Sequence, residues 1–583
     1  MTRSLSLVES ATGAQVAARS LGLVAEPADL DDLMDGSGAG PLECEISWAG
    51  PVDLPLSDER AVQAACGIMH VHGRAAGRPA PLAVDYASAA AGVLAAQGIL
   101  AAWIARSRGV RVTSVRTSVS QAALLVLAQY LGAATADDDW REPTVPGSST
   151  FVSADGVRFE FETLDPQRWL RFWTRLGADP AAAKRGWRPF QERFATATCP
   201  LPPELHETVR RTSFTTVRAA ADGAGASVLP VREDPGPPAP ARPWTLAPFP
   251  DQGSSGLPGQ RKSAEAGPVS DRPLAGIRVI ESTRRVQGPM AGHILWMLGA
   301  DVVRIEPPGG DPMRGIPPIA GGCSARFSAL NAGKSVTEAD ITTAEGRRTV
   351  HELVSGADVF LHNWAPGKAA QLRLDADDLR RTRPGLIYAW ASGWGDSLGS
   401  SSPLGTDFLV QAHSGLAAAL RPADEPPAPS LMTLTDVLGG LVCAQGVLAA
   451  LLARIRTGHG GRVDSSLYSA ATVLPRPARR AEWTALDRPL RTEDGYLALG
   501  REARERPEHL AAATGLGACA GITEITSQLR NLPTAFWSRR LAEAGLTATE
   551  VCADLRQLAR DPRFSRALSV GEHVFPLAPW EFS

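Results

Sequence analysis

The same short motifs occur twice in this chain at one constant offset, and this repetition restricts its possible folds more than any other feature. Gln63-Ala-Ala-Cys-Gly67 matches Gln411-Ala-His-Ser-Gly415, and Gln97-Gly-Ile-Leu-Ala-Ala102 matches Gln445-Gly-Val-Leu-Ala-Ala450, with no gap between the two matches. Weaker pairs flank them: Asp31-Asp-Leu33 with Asp377-Asp-Leu379, Ser47-Trp-Ala-Gly50 with Ser392-Gly-Trp-Gly395, and Asp155-Gly156 with Asp494-Gly495. A chain of 583 residues is too long for one core, so two related units are expected. Read this way, the first unit starts partway through the repeat and has nothing matching Leu274 to Trp364.

Residues 234–273, rich in Pro, Gly and Ser, carry no periodic apolar face and read as a linker. The expected division is a shortened copy over 1–233 (large-domain remnant 25–135, small subdomain 150–233), the linker, a large domain over 274–480 and a small subdomain over 481–583. After the linker, strand patterns at Gly276-Ile-Arg-Val-Ile-Glu281, 300–306, 357–362 and 385–390 alternate with helical stretches at 293–298, 349–355 and 376–381. That alternation predicts an α/β fold with a doubly wound parallel sheet. A long apolar helix is predicted over 437–455, ended by a basic turn and Gly458.

A net charge of -3 and a pI near 6.4 exclude the basic field that nucleic acid or anionic lipid requires. Seven cysteines without CxxC spacing argue against structural zinc or a disulfide framework, so no metal is expected and a reduced, cytoplasmic setting fits. Met1 to Leu23 has no signal-type apolar region, and no apolar run reaches the roughly 18 residues of a membrane span. The expected partner is a small molecule.

Within the second unit, Pro273-Leu-Ala-Gly-Ile-Arg-Val-Ile, Gly288-Pro289, the run Leu298 to Asp311 with Arg314, Asn331-Ala-Gly-Lys334, Asn363-Trp-Ala-Pro-Gly367, Ser392-Gly-Trp-Gly395, Asp407 with Gln411, and Asp436 before Gln445-Gly-Val-Leu-Ala-Ala-Leu-Leu stand in one order. This order resembles the class III CoA-transferases, the family of formyl-CoA transferase and carnitine CoA-transferase. The resemblance implies acyl-CoA and a carboxylic acid as substrates and Asp436 as nucleophile. It implies a CoA site lined by Arg284, Gln287, Ala339, Asp340, Asn363, Trp364 and the position of Gln371. Interlocked ring-like subunits in that family imply a tandem pseudo-dimer inside this one chain, with further homodimerisation left open.

The chemistry has a physical rationale. A carboxylate that attacks a thioester forms a mixed anhydride and recaptures CoA as an enzyme thioester, dividing one hard exchange into easier steps. A helix N-terminus favours both the carboxylate and the oxyanion. Without the resemblance, an aspartate before an apolar helix is most often only a cap. Gly439 and Gly440, one turn in, read equally as a close ligand approach or as tight helix packing.

Two positions depart from the formyl-CoA enzyme's pattern: Pro307 stands where it has a basic residue, and Gln371 where it has arginine. Arg284, Arg285, Arg314 and Lys334 are candidate replacements. At the constant offset Asp436 is matched by Ser88, with Asp85 three residues earlier, so the first copy reads as degenerate. Two alternatives remain. One is racemase or lyase chemistry, although Thr406 precedes Asp407 where racemases place histidine; His413 in the following helix reads as an alternative base or, more often for a lone histidine, as a packing residue. The other is a CoA-binding pseudoenzyme.

Overall fold

The computed structural model describes residues 5–22, 42–136, 145–237, 242–250, 272–399, 402–517 and 519–583, with only the backbone of 5–8. Asp31 to Leu33 and most of the linker fall outside these residues.

Two parallel sheets form the core. In the first unit, β1 (Leu5–Val8), β2 (Glu43–Ser47) and β3 (Ser114–Ser118) run parallel. In the second, β5 (Arg278–Ser282), β6 (Asp301–Glu306), β7 (Ser335–Glu338), β8 (Val359–His362), β9 (Ile387–Ser392) and β10 (Gly461–Ser466) lie in the spatial order β7-β6-β5-β8-β9-β10, all parallel. The chain starts at the centre, builds outward one way through β7, then returns to build the other way from β8. This is the doubly wound arrangement predicted from the strand–helix alternation.

One strand interrupts the predicted linker: β4 (Trp244–Pro248) pairs antiparallel with β10 and closes the second sheet. The final strand β11 (Glu581–Phe582) does the same for the first sheet, pairing antiparallel with β3. Each unit therefore lends its last strand to the other. A tryptophan anchors each loan: a Cβ on Gly446 would meet Trp244 and Val463, and one on Gly98 would meet Trp580 and Val115. Composition marked 244–248 as linker because a short edge strand flanked by prolines has no periodic signal of its own.

Six helices matter for the site: α1 (Ala11–Leu21), α2 (Glu59–Ala65), α3 (Tyr86–Ser107), α4 (Gln287–Met297), α5 (Asp407–His413) and α6 (Leu434–Thr457). Helix α6 packs on α4, α3 packs on α1, and α3 and α6 pack on each other. The Tyr86 hydroxyl donates to the Leu434 carbonyl at 3.0 Å and the Gln97 amide to the Leu441 carbonyl at 2.6 Å. Contrary to the expectation from apolar runs, α3 and α6 are each long and apolar enough to cross a membrane, and here they lie in the protein core. Alanine and glycine interspersed with polar residues hid that mean hydropathy from a search for unbroken runs.

The α1 packing also corrects the reading that the first unit lacks any counterpart of Leu274 to Trp364. A Cβ on Gly440 would meet the Gln287 carbonyl and the Met290 side chain, and a Cβ on Gly92, its repeat partner, would meet the Gly13 carbonyl and the Val16 side chain. Helix α1 is thus the worn counterpart of α4, while β1, paired directly with β2, takes the sheet position that β8 holds beside β9. Gly439 and Gly440 are explained by close helix packing, the second of the two readings above.

A small antiparallel subdomain follows each core: strands 151–152, 158–162 and 227–230 in the first unit, and 490–491, 496–499 and 548–550 in the second. Both turn at the Asp-Gly match, where Asp155 accepts from the Phe214 N–H at 2.9 Å and Asp494 from the Thr534 N–H at 2.7 Å.

Candidate active site

Helix α6 begins at Leu434 rather than Val437, so Asp436 stands inside the first turn and Thr433, in a left-handed conformation at φ 55°, precedes the helix. The helix N-terminus is capped from elsewhere. Asp407, at the start of α5 and buried, accepts from the Thr435 N–H at 2.5 Å, the Thr435 hydroxyl at 2.6 Å and the Asp436 N–H at 3.0 Å. The Gln411 amide, one turn along α5, also donates to Asp407, donates to the Ser430 carbonyl at 2.9 Å and accepts from the Ser430 N–H at 2.8 Å. One buried carboxylate thereby fixes both helices.

Asp436 keeps a partly exposed edge while Leu434, Thr435 and Val437 are buried. Burial, the Asp407 charge and Glu162 push its carboxyl well above the usual aspartate range, and Arg285 opposes them. Asp407 is also raised by burial, but its donors favour the charged form. Two carboxylates this close do not both ionise easily: the four donors that hold Asp407 favour its charged form, and the Asp407 charge adds to burial in raising Asp436.

The first unit reproduces this network residue by residue. Glu59 replaces Asp407 and accepts from the Ala87 N–H at 2.9 Å, the Ser88 N–H at 2.9 Å and the Ser88 hydroxyl at 2.7 Å. Gln63 donates to Glu59 at 2.9 Å and accepts from the Leu82 N–H at 2.9 Å, as Gln411 does from Ser430. Ser88 has no exposed surface, and its hydroxyl is held by Glu59. Asp85 points elsewhere, accepting from the Thr12 hydroxyl at 2.6 Å.

Arg284, Gln287, Asn363 and Trp364 follow β5 and β8, the adjacent strands at the switch point where open α/β sheets bind ligands, whereas Ala339 and Asp340 follow the edge strand β7. Asn363 clamps the loop after β5, accepting from the Arg284 N–H at 3.0 Å and donating to the Arg284 carbonyl at 2.8 Å. Gln287 donates to the Ser392 carbonyl at 3.1 Å, and its side chain lies against Gly439, where a Cβ would come within 2.9 Å of its amide nitrogen. The Trp364 carbonyl accepts from the Trp390 indole at 3.0 Å. Ala339 is buried and donates to the Glu306 carbonyl, while the exposed Asp340 turns its own loop through Thr342. Gln371 is exposed and accepts from Lys368 at 2.9 Å, so a cation does stand at that helix, one turn before the position where arginine was missing.

Two proposed substitutes for lost charge are already engaged. Arg314 forms a two-pronged contact with Glu306, both distances 2.8 Å. Lys334 is buried against Glu281 at 2.9 Å, and burial lowers its pKa to about 8. Arg284 and Arg285, by contrast, are exposed beside the site. Arg285 adopts a positive φ of 68°. His413 packs edge-on against Trp394 with ring centres 5.6 Å apart, and burial lowers its pKa, so nothing marks it as a poised base.

Sequence reasoning missed the contribution of the first unit. Its strand 158–162 packs on α5 and ends in Glu162, which is bound by Arg193 at 2.8 Å with both side chains 4% exposed. The Arg193 guanidinium lies 4.8 Å from the Phe408 ring, next to Asp407. No local motif announces such a contact, because the partners are more than 200 residues apart in the chain.

A doubly wound sheet with a carboxylate pair at the head of its core helix defines the α/β class of this chain. The chain belongs to that class as a member of CoA-transferase family III, whose profile matches residues 49–235 and again 274–573. It is similar to succinyl-CoA:glutarate CoA-transferase of Mus musculus, 33% identical over 266 residues, covering 42% of this chain and 61% of that protein. It is also similar to acetyl-CoA:oxalate CoA-transferase of Acetobacter aceti, 37% identical over 215 residues, covering 36% and 55% respectively. The chain thus spans less than two thirds of these relatives' length. Among solved structures, a CAIB/BAIF family protein from Brucella suis is 26% identical with a TM-score of 0.49, over 53% of this chain and 93% of that one.

Proposed function

We propose that this chain moves CoA between an acyl-CoA and a free carboxylic acid at one working site, with Asp436 as nucleophile. The observation that carries the reading is the contrast between the two copies. Asp436 stands partly exposed over a carboxylate that holds its backbone, whereas Ser88 is sealed by Glu59. The relatives named above, which use small carboxylic acids by their names, support the same class of acceptor.

In this reading Asp436 attacks the thioester carbonyl and CoA leaves as thiolate, giving an acyl-aspartyl anhydride. The thiolate attacks the aspartyl carbonyl and releases the first acid. The second acid attacks the resulting aspartyl thioester, and the thiolate then takes its acyl group, regenerating the carboxylate. Gln287, packed against the first turns of α6, would steady the oxyanion. Arg284, Ala339, Asp340, Asn363, Trp364 and Gln371 with its neighbour Lys368 would line the CoA path. The shortened copy over 1–233 serves as a built-in partner: the 274–480 domain carries the chemistry, and the first unit walls it through Glu162 and Arg193.

Incubation with an acyl-CoA and a second acid, with product analysis, tests this. The expected product is the second acid's CoA thioester. Racemised acyl-CoA alone would favour the racemase alternative, and unchanged substrates with measurable CoA binding the pseudoenzyme.

A further inference from the structure

We infer that the seam between the two units carries a second ligand site, remote in its residues from Asp436, that takes a small polyanion. A cavity of about 320 Å³ opens there, walled by Arg78 of the first unit and by Trp483, Arg488, Arg491, Tyr496 and Arg530 of the second. Asp436, Asp407, Gln287 and Arg285 do not line it. Its size lies at the lower end of the roughly 300–1,000 Å³ typical of small-molecule sites, too small for a whole CoA.

The charge there is unbalanced. Arg488 is neutralised by Asp424 at 2.6 Å and Glu425 at 3.4 Å, and Glu425 is shared with Arg421. Arg78, Arg491 and Arg530 are exposed, and no carboxylate among the described residues pairs with them. Glu425 is the one acidic residue in the lining, so three arginines stand in it without a paired carboxylate. Their mutual repulsion is relieved when an anion sits between them, and planar guanidinium forks match carboxylate and phosphate oxygens.

The remaining wall sets the shape of the ligand. The Trp483 ring centre lies 4.6 Å from the Arg60 guanidinium and 5.7 Å from that of Arg488, which sets an aromatic surface beside the cations. A compact polyanion bearing carboxylate or phosphate groups fits this lining. Because Arg78 comes from one unit and the other cations from the other, an occupant would tie the two units together.

Calorimetric titration of the full chain with citrate and with pyrophosphate, in saturating CoA to block the Asp436 site, tests the inference, with Trp fluorescence as second readout. At least one probe should bind saturably below about 1 mM. Arg78→Glu with Arg530→Glu, and separately Arg491→Gln, should weaken it at least about tenfold, while Arg171→Glu on an outlying helix leaves it unchanged. Trp483→Phe should abolish the fluorescence response. Citrate binding alone would identify a carboxylate ligand, and pyrophosphate binding alone a phosphorylated one. Absence of binding by both up to about 10 mM, or binding indifferent to the arginine variants, would overturn the inference.

Discussion

The backbone N–H of Asp436 donates to the side chain of Asp407 at 3.0 Å, so the residue proposed to attack the thioester is held by the charge that raises its pKa. Attack requires the carboxylate, so the acid limb of kcat should follow Asp436 and lie above the ordinary aspartate range. Removing a raising charge lowers the limb; removing a lowering one lifts it. Asp407→Asn should move it to lower pH, at a stability cost of about 1 kcal/mol for the lost cap. Arg285→Gln should move it to higher pH. Single-turnover rates across pH measure both.

Glu162 offers the same test from the other copy. It raises Asp436 across the unit boundary, so Glu162→Gln should shift the acid limb downward with a smaller change in KM. An unshifted profile would leave the first unit a purely structural wall.

Asp436→Ala should lose at least about three powers of ten in turnover, because covalent catalysis has no substitute there. Ser88→Ala and Asp85→Ala should each stay within about threefold and lose no more than roughly 1 kcal/mol of stability. Steady-state kinetics with urea unfolding as control separates the two effects.

The first unit's Glu59 makes a prediction about stability. Burial lifts its pKa from 4.5 to about 7, so the folded chain holds this proton more tightly than the unfolded one. Its contribution is fully present below about pH 4.5 and is lost as pH rises to about 7. Glu160 is likewise lifted to about 7 by burial and adds to the same decline. Glu59→Gln should therefore flatten part of the fall in unfolding midpoint between pH 5 and pH 8.

The exchanged strands should matter energetically. Trp580 is buried and its indole donates to the Leu94 carbonyl at 2.7 Å, fastening the last strand of the second unit to the core helix of the first. Trp580→Ala should cost about 3–5 kcal/mol and lower the thermal midpoint of the whole chain.

The parallel sheet was legible because its strands are short apolar runs at regular spacing, and the repeat because Gln63 and Gln411 keep matching buried hydrogen bonds that tolerate little change. Asp436, Gln287 and Asn363 were legible through the ordered motifs around them. The partnership of Glu162 and Arg193 with that site was not, since it depends on tertiary contact between distant segments. Strand 244–248 and the α1 counterpart were also hidden: the first reads as linker, and the second keeps packing geometry after its sequence has diverged. Arg314 and Lys334 looked available as cations until their buried carboxylate partners were seen.

The most direct test of the central claim is trapping. The full chain, incubated with an acyl-CoA and quenched with hydroxylamine or borohydride, should carry one modified carboxylate, at Asp436, by peptide mass analysis. Modification at Asp85, at Asp407 or at any other carboxylate, or turnover without any adduct, would contradict the account.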